Sequence, residues 1–270
     1  MKGKRGHGDK REPRPSGRGD WLYGRRPVME ALRAGRRAFY ELHVLEGALR
    51  ADAGDTDLAE ICDLASAAGA AVVRADRRAF DNLLGPVNHQ GVALRAGGYP
   101  YGDFDQLLRA VEEDAQATVL VLDHIEDPQN VGSLLRTADA SGVAGVILPE
   151  DRSAGVTPAA VRASAGASEH LCVVKVVNLA RALDALKEVG CWMTGLDWGD
   201  DARDYTAIDF RGRCGLVVGN EGHGIGRLVR EKCDFIASLP MQGQVSSLNA
   251  AVAGGIALYE VLRQKRGAGK

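Results

Sequence analysis

The sequence predicts an α/β fold in two unequal parts, a small mixed domain over residues 21–96 followed by a parallel-sheet domain over residues 116–270. Three observations predict it. Short apolar runs alternate with helix-patterned segments along most of the chain. One stretch, GGYPYGDF at 97–104, breaks that alternation with glycine, proline and polar residues. Beyond the break the strand candidates become near-continuous apolar runs, as expected of strands buried on both faces of a parallel sheet.

Residues 1–20 form a basic tail. Lys2, Lys4, Arg5, Lys10, Arg11, Arg14 and Arg18 face only Asp9 and Glu12, although the whole chain has a net charge of -2. Glycine, proline and charge without apolar residues cannot offset the entropy of ordering, so this segment is expected to be disordered when free. It is either a solvated tail or an arm that touches phosphates in a salt-dependent way.

In the small domain the order is VMEALRAG, FYELHVLE, LAEICDLASAAG, AAVVRA, RRAFDNLLG and QGVALRA, strands and helices in turn. Residues 97–115 read as a linker, with the amphipathic DQLLRAVEED bridging the halves. Then TVLVLDHI is strand-like, NVGSLLRTADASG helical, VAGVILPE strand-like and TPAAVRASAGASE helical. LCVVKVV, CWMTGLDW and GLVVGNE continue the strands, separated by the helical NLARALDALKEVG and a polar loop at 199–213. The closing helix, SSLNAAVAGGIALYEVLRQKR, is apolar over most of its first half and should pack deeply or at a subunit interface.

Composition narrows the class. Hydrophobic residues at 45% and charged ones at 26% of 270 residues can build a sizeable core. No apolar run approaches the roughly 20 residues needed to cross a bilayer, and the N-terminus lacks the apolar stretch of a secretory signal. A cytoplasmic location and no membrane partner are expected. Cys62, Cys172, Cys191, Cys214 and Cys233 never approach a C-x-x-C spacing, so they read as reduced core residues and no metal is expected.

Three segments put polar residues or glycine where a strand meets a helix, the edge at which parallel sheets bind ligands. They are DPQNVGSLLRTA (127–138), VVGNEGHGIG (217–226) and LPMQGQVSSLNAAVA (239–253). In this order and spacing they resemble the three motifs of the SpoU (TrmH) branch of the SPOUT RNA methyltransferases. Residues 21–96, with LYGRRPVMEAL and NHQGVAL, are similar to that family's small RNA-binding domain, itself L30e-like. The domain order, with TPAAVRASAGASEHL and NLARALDALKEVGCWMTGLD, most resembles the members that methylate a guanosine of 23S rRNA.

The resemblance implies a trefoil-knotted C-terminal SPOUT methyltransferase domain, S-adenosylmethionine as donor without a metal, and a homodimer formed through the knotted domain. It implies 23S rRNA or a ribosome precursor as partner, with the target a guanosine ribose 2'-hydroxyl in the peptidyl-transferase P loop. A tRNA 2'-O-methyltransferase of the same fold and a non-catalytic RNA-binding assembly factor are the alternatives.

The same resemblance places the donor against Gly219, Asn220, Gly222, Leu239, Met241, Ser247 and Leu248, and makes Asn130, Arg136, Glu221, Ser247 and Asn249 the catalytic set. Glycine at 219 allows close backbone approach to a ligand. Arg136 follows Asn130 by one to two turns, so the two are expected to project near one another. A guanidinium is a poor base, and two roles stay open for Arg136: a proton acceptor activated jointly by RNA phosphate and the site, or a stabiliser of the developing alkoxide. Glu221 is expected either to hold Arg136 in a bidentate pair or to sit as an ordinary helix-start carboxylate. Ser247 and Asn249 can cap the last helix, bind ribose and donor, or both. His124, His170 and His223 receive no catalytic role. Arg25, Arg26, Arg33, Arg36, Arg37, Arg77 and Arg78, with Tyr23 and His89, suit contact with phosphates and unpaired bases, or form a solvated basic face.

Overall fold

Two separate sheets organise the chain in a computed structural model that describes residues 19–46, 56–245 and 247–267. The expected disordered tail falls, apart from Gly19 and Asp20, outside the described residues. The first sheet holds β1 (Asp20–Tyr23), β2 (Phe39–Leu45), β3 (Ala71–Ala75) and β4 (Val92–Ala96) in the order β1-β4-β2-β3. β4 runs antiparallel to both β1 and β2, while β2 and β3 are parallel. α1 (Arg25–Ala34) and α2 (Thr56–Ala67) bury one face, where Leu22, Leu42, Val44 and Leu94 meet Val28, Leu58 and Ile61. α3 (Arg77–Leu84), capped by the Asp76 carboxylate on Ala79 N, lies over part of the other face through Phe80.

The second sheet holds β5 (Thr118–Asp123), β6 (Gly145–Pro149), β7 (Val173–Val176), β8 (Trp192–Leu196), β9 (Arg203–Asp204), β10 (Cys214–Gly219) and β11 (Phe235–Ser238). Their order is β7-β6-β5-β10-β8-β11-β9, and every pairing is parallel. Every residue of β5 and β10 is buried, which is why TVLVLD and CGLVVG carry apolar residues at consecutive positions. α5 (Pro128–Ala140) and α9 (Ala250–Gly267) pack on one side of it, and α4 (Phe104–Glu113), α7 (Leu179–Glu188) and the short α8 (Arg227–Arg230) contribute to the core on the other. Gly254 sits where α9 meets α5 and β10, and a Cβ there would lie 2.5 Å from Leu134 and 3.1 Å from Val218.

Several details differ from expectation. TPAAVRASAGASE is not one helix: α6 (Pro158–Ala163) ends, Ala165 and Gly166 take left-handed φ values of 54° and 89°, and a 3-10 turn follows at Ala167–His170. The break makes a seat for the first domain, since a Cβ on Gly166 would lie 2.6 Å from Glu30 and 3.1 Å from Pro27 of α1. The polar loop at 199–213 contains β9 and buries Ile208 and Phe210 beneath α9, where they join Cys214 and Val261. The stretch at 97–115 is structured as well, because Gly102 bridges to Val174 and Leu107 and Val111 enter the second core.

The two sheets are fastened to each other. Arg37 Nε and Nη2 donate to the two carboxylate oxygens of Glu169 at 2.9 and 2.5 Å, and both side chains are fully buried. Arg36 donates to the carbonyls of Glu169, Leu171 and Pro100, and the Tyr99 hydroxyl donates to those of Ser168 and Leu171.

Candidate active site

Because β10 lies between β5 and β8, with β11 beyond, the loops leaving their carboxyl ends come together at one edge of the sheet. A cleft opens there, walled by apolar side chains with a few polar groups among them, the lining typical of a small-molecule site. Gly219, Asn220 and Glu221 line it from the end of β10, Leu239 and Met241 from the loop after β11, and Ser247 and Leu248 from the approach to α9. Gly222 does not line it.

The loop after β10 is built by its own polar atoms. Asn220 Nδ2 donates to the His124 carbonyl at 3.0 Å and its Oδ1 accepts from Gly222 N at 2.9 Å. Gly226 N donates to Asp123 Oδ2 at 2.7 Å, tying the end of the loop to the end of β5. Gly219 has a local reason that sequence reasoning assigned to a ligand: a Cβ there would lie 2.3 Å from the backbone of Gly224, so the loop folding back on itself demands glycine.

Beside the cleft, Asn130, Glu221 and Asn249 meet. Glu221 Oε1 accepts from Asn130 Nδ2 and from Asn249 Nδ2, each at 2.5 Å, and Asn249 Nδ2 also donates to Asn130 Oδ1 at 2.9 Å. Asn249 Oδ1 caps α9 by accepting from Ala251 N and Val252 N at 3.0 and 3.2 Å, so capping and site-building coexist in one side chain. Ser247 makes no hydrogen bond among the described residues.

Arg136 does not join this network. Six residues at about 100° each place it roughly 120° around the helix from Asn130, so the two side chains diverge. Asn130 is buried at 7% exposure, whereas Arg136 is exposed and has no hydrogen bond or ion pair among the described residues. The bidentate Glu221–Arg136 pair is therefore corrected: two asparagine amides hold the carboxylate, and the guanidinium faces outward.

The basic set of the first domain also divides. Arg33 pairs with Glu30 and Glu60, and Arg36 and Arg37 are spent on the junction between the sheets. His89 stacks on Phe80 and accepts from Gly91 N. Arg26, Arg77 and Arg78 remain exposed.

Sequence reasoning missed one wall of the cleft. Leu196, Asp197 and Trp198, at the end of β8, line it together with Ala237 and Ser238 of β11. The signal was present, since CWMTGLDW read as a strand and its carboxyl end falls on the ligand-binding edge. Arg230 fixes that wall through Asp197 Oδ2 at 3.3 Å and a bidentate pair with Asp201.

The lining fits S-adenosylmethionine. Leu239, Leu248, Ala237, Ala250 and Ala253 offer apolar contact for a purine, while Asp197, Asn220, Ser238 and Ser247 offer polar atoms for a ribose and an amino-acid group. Among the described residues no cluster of three or more His, Cys, Asp or Glu is arranged to hold a metal ion.

Comparison with known proteins gives the same picture along both parts of the chain. Residues 117–259 match the model of the SpoU rRNA Methylase family, and residues 21–102 match the RNA 2'-O ribose methyltransferase substrate binding model. A Bacillus subtilis protein named for the TrmH family of tRNA/rRNA methyltransferases is 40% identical over 252 residues, covering 93% of this chain and 98% of the relative. The crystal structure of the SpoU methyltransferase AviRb from Streptomyces viridochromogenes superposes with a TM-score of 0.75 at 26% identity, over 93% of this chain and 91% of that one. Its complex with the cofactor AdoMet superposes with a TM-score of 0.73, also at 26% identity, over 92% and 90%.

Proposed function

The chain belongs to the SpoU rRNA methylase family, with an N-terminal substrate-binding domain and S-adenosylmethionine as methyl donor, and from that premise we propose that its target is the ribose 2'-hydroxyl of a guanosine in the peptidyl-transferase P loop of 23S rRNA. The observation that carries the reading is the convergence of three chain-distant loops on one cleft, with Asn130, Glu221 and Asn249 joined beside it. A two-domain organisation suits a large folded RNA, in which one domain grips structure while the other presents the donor.

The donor, when bound, supplies an electrophilic methyl on sulfur. The chain's residues must then hold the donor, align the ribose oxygen and manage its proton. Gly219, Leu239, Met241 and Leu248 are the donor contacts in this proposal, with Asn220 and Gly222 shaping the loop and Ser247 offering a hydroxyl. Asn130, Glu221 and Asn249 fix the edge of the cleft nearest α5 and α9. Arg136, outward-facing and without an acidic partner among the described residues, works on the acceptor side. There it meets RNA phosphate and either takes the proton or stabilises the alkoxide.

The active form in this proposal is a homodimer. Val252, Ile256 and Tyr259 are 50%, 39% and 54% exposed and recur at helical spacing on α9, an apolar stripe that the described residues leave uncovered.

Labelled S-adenosylmethionine offered with 23S rRNA transcript, a ribosome precursor or tRNA tests the assignment. Label on a P-loop guanosine ribose is expected. Label on tRNA alone replaces the target but keeps the reaction, and donor binding without transfer to any RNA favours an assembly factor. Among the described residues no helix is long and apolar enough to cross a membrane.

A further inference from the structure

One face of the N-terminal sheet is covered by α1 and α2; on the opposite face α3 covers one end, where Phe80 packs on Ala75 and Ala93 with Trp21 and Leu45 against them, and the rest of the described face is half-buried or exposed. Cross-strand register sets what the remainder displays. Trp21 pairs with Arg95, Arg95 with Glu41, and His43 lies between Ala93 and Val73, all on the side away from Leu22, Leu94 and Leu42. The Trp21 and His43 rings meet edge-on at 5.1 Å, and the Arg95 guanidinium lies 5.3 Å over the ring of Tyr40, beside the β2 bulge. Tyr40 and Val73 are 41% and 36% exposed. His43 Nδ1 has no hydrogen-bond partner within the described structure.

We propose that this open face is a stacking platform for unpaired bases of the RNA substrate, with Arg77 and Arg78 meeting phosphates of the same strand; the inference rests on the RNA-methyltransferase reading. Flat rings and a delocalised cation on a rigid sheet match the faces of any base, and a duplex hides those faces, so the site selects unpaired nucleotides. Charge points the same way. Among the described strand residues on this face Glu41 is the one carboxylate, engaged by Arg95 at 3.1 Å and 3.7 Å from His43. Arg77 and Arg78, at the start of α3, are exposed and carry no ion pair among the described residues, and Asp76 just before them is occupied as the cap of α3. That basic margin suits phosphate better than the surface of an ordinary protein partner.

The test uses the full chain, fluorescence anisotropy and a labelled single-stranded RNA of about 12 nucleotides, compared with the same sequence as a duplex. The wild type should prefer the single strand. Tyr40→Ala and Val73→Glu, both at exposed positions, should each weaken single-strand binding by about fivefold or more, the scale of one lost base stack. Affinity for S-adenosylmethionine should not change. Arg77→Ala with Arg78→Ala should flatten the salt dependence. Unchanged single-strand affinity in both face variants overturns the platform. So does a Val73→Glu protein that differs only in sedimentation, because the face would then join copies of this chain. Wild-type protein that methylates RNA while the face variants keep their KM leaves the proposed function standing and removes this site. Wild-type protein that binds and methylates no RNA removes both.

Discussion

Asn130 and Asn249, 119 positions apart, donate to the same oxygen of Glu221, each at 2.5 Å, and touch one another at 2.9 Å. A carboxylate is acceptor-only, so it can satisfy two amides at once and set the orientation of both. Glu221→Ala should leave the buried Asn130 amide without this acceptor and cost about 1–3 kcal/mol in urea denaturation. Methyl transfer should fall at the same time. Glu221→Gln keeps an acceptor oxygen and should recover much of the stability. If it recovers activity equally, the network serves the fold alone.

Arg136 stands apart from that network, and its removal should separate chemistry from stability. Arg136→Ala takes away an exposed side chain with no partner among the described residues, so unfolding free energy should move by no more than about 0.5 kcal/mol. Calorimetric donor affinity should stay within a few fold while turnover is lost. Arg136→Lys keeps the charge but not the planar fork and should remain strongly impaired. Near-normal turnover in the alanine variant removes Arg136 from the mechanism.

The contrast between these two sites shows what the sequence could reveal. TVLVLD and CGLVVG identified their strands because burial on both faces leaves a continuous apolar run. The three motifs identified the cleft because polar residues and glycine gather where strands end. Which side chain answers Glu221 was beyond reach, since that depends on how α5 and α9 are rotated, and tertiary packing sets the rotation. Gly219 carries a second constraint that the sequence does not separate from the first: a ligand and a returning loop impose the same steric demand, and Gly219 both lines the cleft and lies where a Cβ would meet Gly224. β11 was missed because FIAS is short, and the wall formed by Asp197 and Trp198 because the end of an apolar strand carries no motif that separates a lining residue from a core one.

Arg37 and Glu169 come from different domains and are both fully buried. Removing one partner strands a charge away from water, so Arg37→Ala and Glu169→Ala should each cost about 3–5 kcal/mol. The double variant Arg37→Met with Glu169→Leu removes both charges and restores apolar volume, and should be substantially more stable than either single variant. Equilibrium unfolding of the three proteins checks this. A double variant as unstable as the sum of the singles would mean that the pair acts through the neighbouring carbonyl contacts of Arg36 and Tyr99 instead.

Alkaline pH should weaken the fold through its thiols. Burial pushes Cys191 up to about 11 and Cys233 up to about 12, from an ordinary 9.0. Below about pH 9 folded and unfolded chains both hold these protons and the contribution is complete. Above it the unfolded thiols ionise while the folded ones do not until about 11 to 12, so stability falls with rising pH across that window. Urea midpoints at about pH 8 and about pH 10 should differ accordingly, and Cys191→Ala should shrink the difference. An unchanged difference would assign the alkaline loss to other groups.

The stripe of Val252, Ile256 and Tyr259 gives a prediction that links assembly to the cleft. α9 begins at Ala250, directly after Leu248 and Asn249, so a partner seated on the stripe would lie next to residues that line or brace the cleft. Exposed apolar side chains at this spacing gain little by facing water, and burying them against a second copy recovers roughly 25 cal/mol per Å². Ile256→Asp places a charge at the centre of that contact without touching the core, because Ile256 is already 39% exposed. Sedimentation equilibrium should show the wild type as a dimer and the variant's dissociation constant raised at least about tenfold, the effect of about 1.4 kcal/mol. Donor affinity should fall with it if the neighbouring subunit steadies the segment before α9. A wild-type chain that sediments as a monomer at every concentration removes the dimer, and with it this explanation for the exposed stripe.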